Sequence, residues 1–278
     1  MSAATLLFGC DFSCAPTVRK PIVIASGRIG DGGELVLAGL KRFTTLGAWA
    51  EWLRSEPVWI GGFDFPFGLP RELVEHLRWP TEWSALMAHY ASLSRAEIRA
   101  TFAAFCAARP VGGKFAHRAT DAPAGSSTSM KWVNPPVAFM LHAGVPPLVA
   151  AGAHLPGLHA GSSKSRVALE AYPGLLAREL IGRRSYKSDE RVKQTPERLM
   201  ARSDLLAALE AGTTRLGLRL ALGGEQRLEL LADARGDHID AVLCLVQAAW
   251  SAQRASTPGP GYGLPEQFDP IEGWIVTA

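Results

Sequence analysis

The sequence lacks the cysteine patterns and the long apolar runs that define several protein classes. Its four cysteines form no C-x-x-C pair, which argues against a zinc ribbon and against a disulfide framework. No run of about 18 apolar residues is present, and the start "MSAATLLFG" has no basic segment ahead of a long apolar one. We therefore expect a cytoplasmic protein without a membrane partner.

Common catalytic motifs are absent as well. The seven histidines show no H-E-x-x-H spacing and no G-x-S-x-G is present, which argues against zinc and serine hydrolases of those types. The segment "GLHAGSSKS" has Ser163 where a phosphate-binding loop carries the glycine of G-K-[ST]. The formal net charge of +3 is compatible with a polyanionic partner but does not require one.

The chain does have the size and pattern of one domain with a large insertion. Its 278 residues, 47% of them hydrophobic, suffice for a sizeable core. Short apolar runs predict strands and helical spacing predicts helices. The expected strands are 5–13, 20–26, 33–43, 58–64 and 166–173, with one or two more in 214–222 and 226–232; the expected helices are 44–56, 92–109, 196–211 and 237–253.

The order of these elements divides the chain into a core and an insertion. The first three strands are expected to form a meander, and the core takes about residues 5–66 and 166–253. The insertion, about 67–165, begins with helical patterns, among them a capping box formed by Ser94 and Glu97. Its second part, 110–165, is dense in Gly, Pro and Ser, so we expect a long surface loop there.

Three of the expected strands end on a carboxylate. "LLFGCD" ends on Asp11, "VWIGGFD" on Asp64 and "VALE" on Glu170. Burying an unpaired carboxylate costs several kcal/mol, so such a residue needs a partner or a use. In the last helix, Asp237 and Asp240 are three residues apart and face the same side. The pattern predicts that acids from several elements converge at one edge of a sheet.

Most of these acids also have a purely structural interpretation. Asp11 and Asp64 could bond turn amides ahead of nearby prolines. Asp237 follows Gly236 and could cap the last helix, where Asp240 would also suit the first turn. Glu170 fits these roles less well, since glutamate is a poor turn former and is depleted in strands. The prediction of a site therefore rests on the set and not on any one member.

The same motifs resemble a known family. "GCDFS", "FDFPFGLP", "LEAYPGLLARELIG", "YK" and "GDHIDAVLCLVQAAW" are similar to the pattern of the domain of unknown function 429 family, whose members are described as predicted nucleases with a ribonuclease H-like fold. The resemblance covers residues 5–70 and 166–251, and it reaches the insertion only through Arg118 and Asp121 of "HRATD". Gly236 stands where the family has the first acid of its D-D-x-x-D-A motif.

The resemblance implies an α/β fold, a ribonuclease H-like mixed sheet flanked by helices, and a metal-dependent nuclease. Mg²⁺ or Mn²⁺ are the implied cofactors, since hard cations prefer carboxylate oxygens, and a pair of ions suits phosphodiester hydrolysis. The implied ligands of this two-ion site are Asp11, Asp64, Asp237 and Asp240, and the implied catalytic residues are these four with Glu170.

Nucleic acid is the partner that such a site implies. The stretch 178–202 carries eight Lys or Arg against four acids, which suits either a phosphate backbone or an exposed helix face with i,i+4 ion pairs. From this stretch and from the insertion, the expected substrate-binding residues are Arg118, Lys131, Arg183 and Lys187.

Two other functions are compatible with the same patterns. A phosphotransferase of the actin and sugar-kinase type also begins with an acidic strand. That fold needs glycine-rich phosphate loops after the first hairpin and late in the chain, whereas "GRIGDGGE" reads as a hairpin turn and has no later counterpart. A member of the same fold that binds a partner without catalysis is the third possibility, and metal binding separates it from a nuclease.

Overall fold

Seven strands form one mixed sheet in the order β5-β6-β4-β1-β2-β3-β7. The computed structural model describes residues 5–278. The strands are β1 Leu6–Asp11, β2 Ile22–Ile29, β3 Leu35–Phe43, β4 Trp59–Phe63, β5 Ala153–His154, β6 Ser163–Glu170 and β7 Leu220–Ala221. The first three are antiparallel neighbours, so the predicted meander is confirmed. β4 runs parallel to β1, and β6 runs parallel to β4.

Ten helices accompany the sheet in the described part of the chain. They are α1 Leu46–Ser55, α2 Arg71–His76, α3 Trp83–Ser92, α4 Arg95–Ala107, α5 Asp121–Ala124, α6 Val137–Ala150, α7 Pro173–Ile181, α8 Pro196–Ala211, α9 Gly224–Ala232 and α10 Asp237–Ala252. The capping box of Ser94 and Glu97 begins α4 as predicted. Among residues 5–278, no helix combines the length and the apolar character that crossing a bilayer requires.

Both faces of the sheet are covered, because side chains alternate along each strand. Phe8 of β1 packs against Trp52 of α1 and Phe63 of β4, with ring centroids 5.0 and 5.4 Å away, in a core that also includes Phe102 of α4. Leu7 belongs to the opposite core, which α7, α8 and α10 complete. The expected α/β fold with a mixed sheet flanked by helices is confirmed.

Helix α10 lies directly against the central strands. A Cβ atom at Gly9 would lie 2.0 Å from the backbone nitrogen of Leu245, and one at Gly62 would lie 2.5 Å from the carbonyl oxygen of Cys244. Such contacts would overlap, so β1 and β4 need glycine where the helix crosses them. These two glycines set the depth at which the acidic start of α10 meets the sheet.

Three segments differ from the sequence prediction. Residues 110–165, expected as a loop, contain α6, which includes Pro146 and Pro147. The expected strand at 226–232 is α9, whose start is fixed by the Gln226 side chain accepting a hydrogen bond from the amide of Gly223. Of the expected strand at 214–222, only the two residues of β7 pair with the sheet.

Candidate active site

Two carboxylates meet where β1 and β4 end. Cys10 pairs with Phe63 in the parallel register of these strands, so Asp11 and Asp64 follow side by side. The amide of Asp64 donates to the carbonyl of Cys10 at 2.9 Å, which continues the ladder by one residue. Asp11 and Asp64 are each two residues beyond the glycines that contact α10, so both lie on the face that this helix covers.

The first turn of α10 adds Asp237 and Asp240 to this edge. A pocket of about 550 Å³ lies between the helix start and the strand ends. We call it the carboxylate pocket, after its lining residues Asp11, Asp64, Asp237 and Asp240, with Lys187 beside them. The sequence prediction that acids from β1, β4 and the last helix share one edge of the sheet therefore agrees with the structure.

Neither strand-end carboxylate is used to bond turn amides. Within residues 5–278, the side-chain oxygens of Asp11 and Asp64 accept no hydrogen bond from the protein, and both side chains are only partly buried. Asp237 does not cap α10 either, because Gly236 is the capping residue and the amide of His238 donates to Asp233 at 2.9 Å. The structural interpretations of these three acids are not supported.

The pKa values of these acids reflect their crowding. Burial raises the pKa of Asp11 well above its ordinary value, and the negative charges of Asp240, Asp237 and Asp64 raise it further against an opposing effect of Lys187. Burial and the charge of Asp240 raise the pKa of Asp64 to about 7. Burial, followed by the charge of Asp233, raises the pKa of Asp237 to about 6. These carboxyls therefore resist ionisation unless a positive charge is added beside them.

Of Asp11, Asp64, Asp237 and Asp240, only Asp240 has side-chain hydrogen-bond partners within residues 5–278. It is buried and accepts hydrogen bonds from the Tyr186 hydroxyl and the Lys187 ammonium. Burial alone would lower the pKa of Lys187, but Asp240 and its other anionic neighbours raise it well above the ordinary value, so this side chain stays charged. The backbone that carries Tyr186 and Lys187 is also held in place, since the Arg202 side chain donates a hydrogen bond to the Tyr186 carbonyl at 2.7 Å.

Gly236 packs against the segment that carries Lys187. It adopts a positive φ of 79°, which favours glycine. A Cβ atom at this position would lie 2.7 Å from the Cβ of Lys187. Any other residue would push away the segment that carries Lys187, so the position of this lysine depends on glycine at position 236.

Glu170 and Arg118 lie together outside the carboxylate pocket. Arg118 donates to both oxygens of Glu170, at 2.7 and 2.9 Å, and to Asp121 at 3.0 Å. The amide of Phe67 also donates to Glu170, at 2.9 Å. All three charged side chains are buried. Their polar atoms are paired with each other and with the backbone, yet both line a neighbouring pocket of about 260 Å³ together with Asp64 and Lys187. The catalytic role of Glu170 and the substrate-binding role of Arg118 stay predictions.

Of the other expected substrate-binding residues, Lys187 lines the carboxylate pocket and two do not. Lys131 is half-buried before α6 and Arg183 is exposed after α7, and neither lines the carboxylate pocket. Tyr186 was missed as a site residue, although the "YK" pair in the family pattern pointed to it. Lys20 and Arg235 also line the pocket, and no motif in the sequence singled them out.

Chemically, this donor set suits a hard divalent cation. Asp11, Asp64 and Asp237 offer carboxylate oxygens with uncompensated charge, the kind of ligand that Mg²⁺ and Mn²⁺ prefer. Within residues 5–278, no three His, Cys, Asp or Glu side chains already form a group that could hold a metal ion. A cation would therefore have to draw these carboxylates together on binding.

Comparison with known proteins adds nothing to this geometry. No protein-family model, no curated protein and no solved structure matches the chain significantly.

Proposed function

We propose that the chain is a metal-dependent nuclease that hydrolyses phosphodiester bonds of nucleic acid on a ribonuclease H-like sheet. The observation that carries the proposal is the pair Asp11 and Asp64, side by side on adjacent parallel strands, without hydrogen-bond partners and facing the acidic start of α10. The antiparallel meander followed by a parallel β4 next to β1 supports the fold assignment. The resemblance to the domain of unknown function 429 family agrees with it.

Asp11, Asp64 and Asp237 are the residues that would hold the cation. A bound Mg²⁺ or Mn²⁺ would supply Lewis-acid stabilisation of the charge that develops on the phosphoryl oxygens. A two-ion site remains a prediction. The Lys187 ammonium already provides one positive charge among the acids of the pocket, and Asp240 is committed to it.

Lys187 has a role of its own in this proposal. Its side chain is 43% exposed, whereas that of Asp240 is 1% exposed. The ammonium is therefore bound by a buried carboxylate and still accessible to a ligand in the pocket. A phosphodiester oxygen in the pocket would find a fixed cation there, and such preorganised charges contribute strongly to catalysis. Asp240 and Tyr186 act as positioning residues, since they hold Lys187 through hydrogen bonds.

Incubation with labelled DNA and RNA in the presence of Mn²⁺ tests the proposal. The panel contains single strands, duplexes and branched junctions. The wild type should cleave at least one substrate, chelator should stop the reaction, and Asp11→Asn should be inactive while Glu51→Gln, on an exposed face of α1, should match the wild type. Absence of cleavage across the panel, or equal cleavage by Asp11→Asn, would overturn the proposal. Binding of an oligonucleotide without cleavage would favour the non-catalytic alternative.

A further inference from the structure

A second pocket adjoins the carboxylate pocket. It has a volume of about 530 Å³ and shares Asp189, Arg235 and Asp237 with the lining of the first. We call it the arginine pocket, after Arg19, Arg42, Arg191 and Arg235, with His238 beside them. The arginines come from the β1–β2 connection, from β3, from a single 3-10 turn and from the turn before α10. The fold thus brings four separate segments to one concave surface.

Three of these arginines have guanidinium groups without a partner among the described residues. Within residues 5–278, the guanidinium groups of Arg19, Arg191 and Arg235 form no hydrogen bond and no ion pair with a protein side chain. Arg42 differs, since it donates to His238 and lies 3.5 Å from Glu229. A guanidinium without a carboxylate is suited to a phosphate, to which it can donate two parallel hydrogen bonds.

The acids of the arginine pocket are better compensated. Asp189 is paired with Lys20 at 3.0 Å. Both oxygens of Asp233 accept backbone hydrogen bonds, from the amides of Arg235 and His238. Glu229 has Arg42 as its neighbour. Asp237 belongs to the carboxylate pocket, where a cation would neutralise it. With Lys20 counted against Asp189 and Arg42 against Glu229, three arginines face two acids, Asp233 and Asp237, so the pocket has one surplus positive charge even without a cation.

His238 adds an independent observation at the wall of the arginine pocket. The side chain is 5% exposed, and its Nε2 atom must accept the hydrogen bonds from Arg42, because a guanidinium only donates. The ring proton then belongs to Nδ1, which has no hydrogen-bond partner and lies 3.9 Å from the nearest carboxylate oxygen, on Glu229. A buried donor without an acceptor costs about 1–3 kcal/mol. Nδ1 is itself shielded from solvent, so an anion would relieve this cost only if the residues around the ring moved slightly on binding.

We propose that the arginine pocket binds the phosphate backbone of nucleic acid next to the phosphodiester held in the carboxylate pocket. This inference rests on the proposed function, since it assigns the second pocket to the same substrate. The shared residues Arg235 and Asp237 make the two pockets a continuous path. One strand could then place its reacting phosphate among the carboxylates and a neighbouring phosphate among the arginines.

Fluorescence anisotropy with labelled single-stranded and duplex oligonucleotides, in chelator, tests the arginine pocket without catalysis. The test variant is Arg19→Gln with Arg191→Gln, and the control is Arg28→Gln with Arg99→Gln, which removes two exposed arginines outside both pockets. Each lost phosphate contact should lower the slope of log affinity against log salt by about 0.7 on a single strand. The double variant should therefore lose about 1.4 in slope and bind roughly 25-fold more weakly at about 0.1 M salt.

The outcomes separate the two proposals. Reduced slope and affinity in the test variant, with an unchanged control, support the arginine pocket whether or not the wild type cleaves. If the test variant binds like the control, or if the wild type binds no oligonucleotide, the arginine pocket is not a backbone site. Cleavage by the wild type together with unchanged binding by the test variant would leave the nuclease proposal standing and overturn this one alone.

Discussion

Replacing Asp64 by Asn should stabilise the metal-free protein, and increasingly so as the pH rises. Asn keeps the shape of the side chain and removes its charge. The pKa of Asp64 is about 7 in the folded protein against an ordinary value of 3.8. Each pKa unit corresponds to about 1.4 kcal/mol, so the ionised carboxylate costs the folded state up to about 4 kcal/mol.

The sign of the pH dependence follows from the raised pKa. Below the unfolded value the carboxyl is protonated in both states and costs nothing. As the pH rises, the unfolded chain ionises first, and stability falls until the folded carboxyl also ionises near neutrality. The stability difference between Asp64→Asn and the wild type should therefore widen by about 3 kcal/mol between about pH 5 and pH 8.

Urea denaturation in chelator at these two pH values measures the difference. A second series with Mn²⁺ should narrow it, because a cation that binds only the folded wild type stabilises it by about 2.7 kcal/mol at a hundredfold excess over its dissociation constant. Asp64→Asn should gain less. A variant that is less stable than the wild type at pH 8 and keeps the full response to Mn²⁺ would show that Asp64 is a structural residue and that the reasoning is wrong.

Three further substitutions test other parts of the structure by urea denaturation. Arg118→Met leaves the buried Glu170 without its cation and should cost about 3–5 kcal/mol. Lys187→Met should cost less, about 1–3 kcal/mol, because its side chain is 43% exposed, and it should also abolish cleavage. Gly9→Ala forces a Cβ atom to within 2.0 Å of the backbone of α10 and should cost about 3 kcal/mol or more, or prevent folding. A near-neutral result for any of them would contradict the role assigned to that residue.

The meeting of Asp11 and Asp64 at one edge of the sheet was predictable, because the end of a strand can be recognised from the local sequence. Asp11 and Asp64 each terminate an apolar run, and the parallel register of β1 and β4 then brings them together. The partner of Glu170 was not predictable in this way. Arg118 lies 52 residues away in the chain, and no short-range pattern indicates which buried arginine a strand-end carboxylate will meet.

Physical reasons also explain why the sequence did not predict helices α6 and α9. In α6, Pro146 and Pro147 favoured a loop, but the helix is largely buried, and tertiary packing outweighs the lost backbone hydrogen bonds. In α9, the alternation of polar residues with Leu228 and Leu230 has the period of a strand, although Leu228 is 67% exposed and only Leu230 is buried. The helix-forming residues of "GEQRLELLA" were the better guide there.

Calorimetric titration of the protein with Mn²⁺ tests most directly whether the carboxylate pocket is a metal centre. The wild type should bind the ion, while Asp11→Asn and Asp64→Asn should lose at least tenfold in affinity, about 1.4 kcal/mol or more. Glu51→Gln, an exposed acid on α1, should bind like the wild type. If the wild type takes up no Mn²⁺, or if Asp11→Asn binds it as tightly as Glu51→Gln does, the central claim is contradicted.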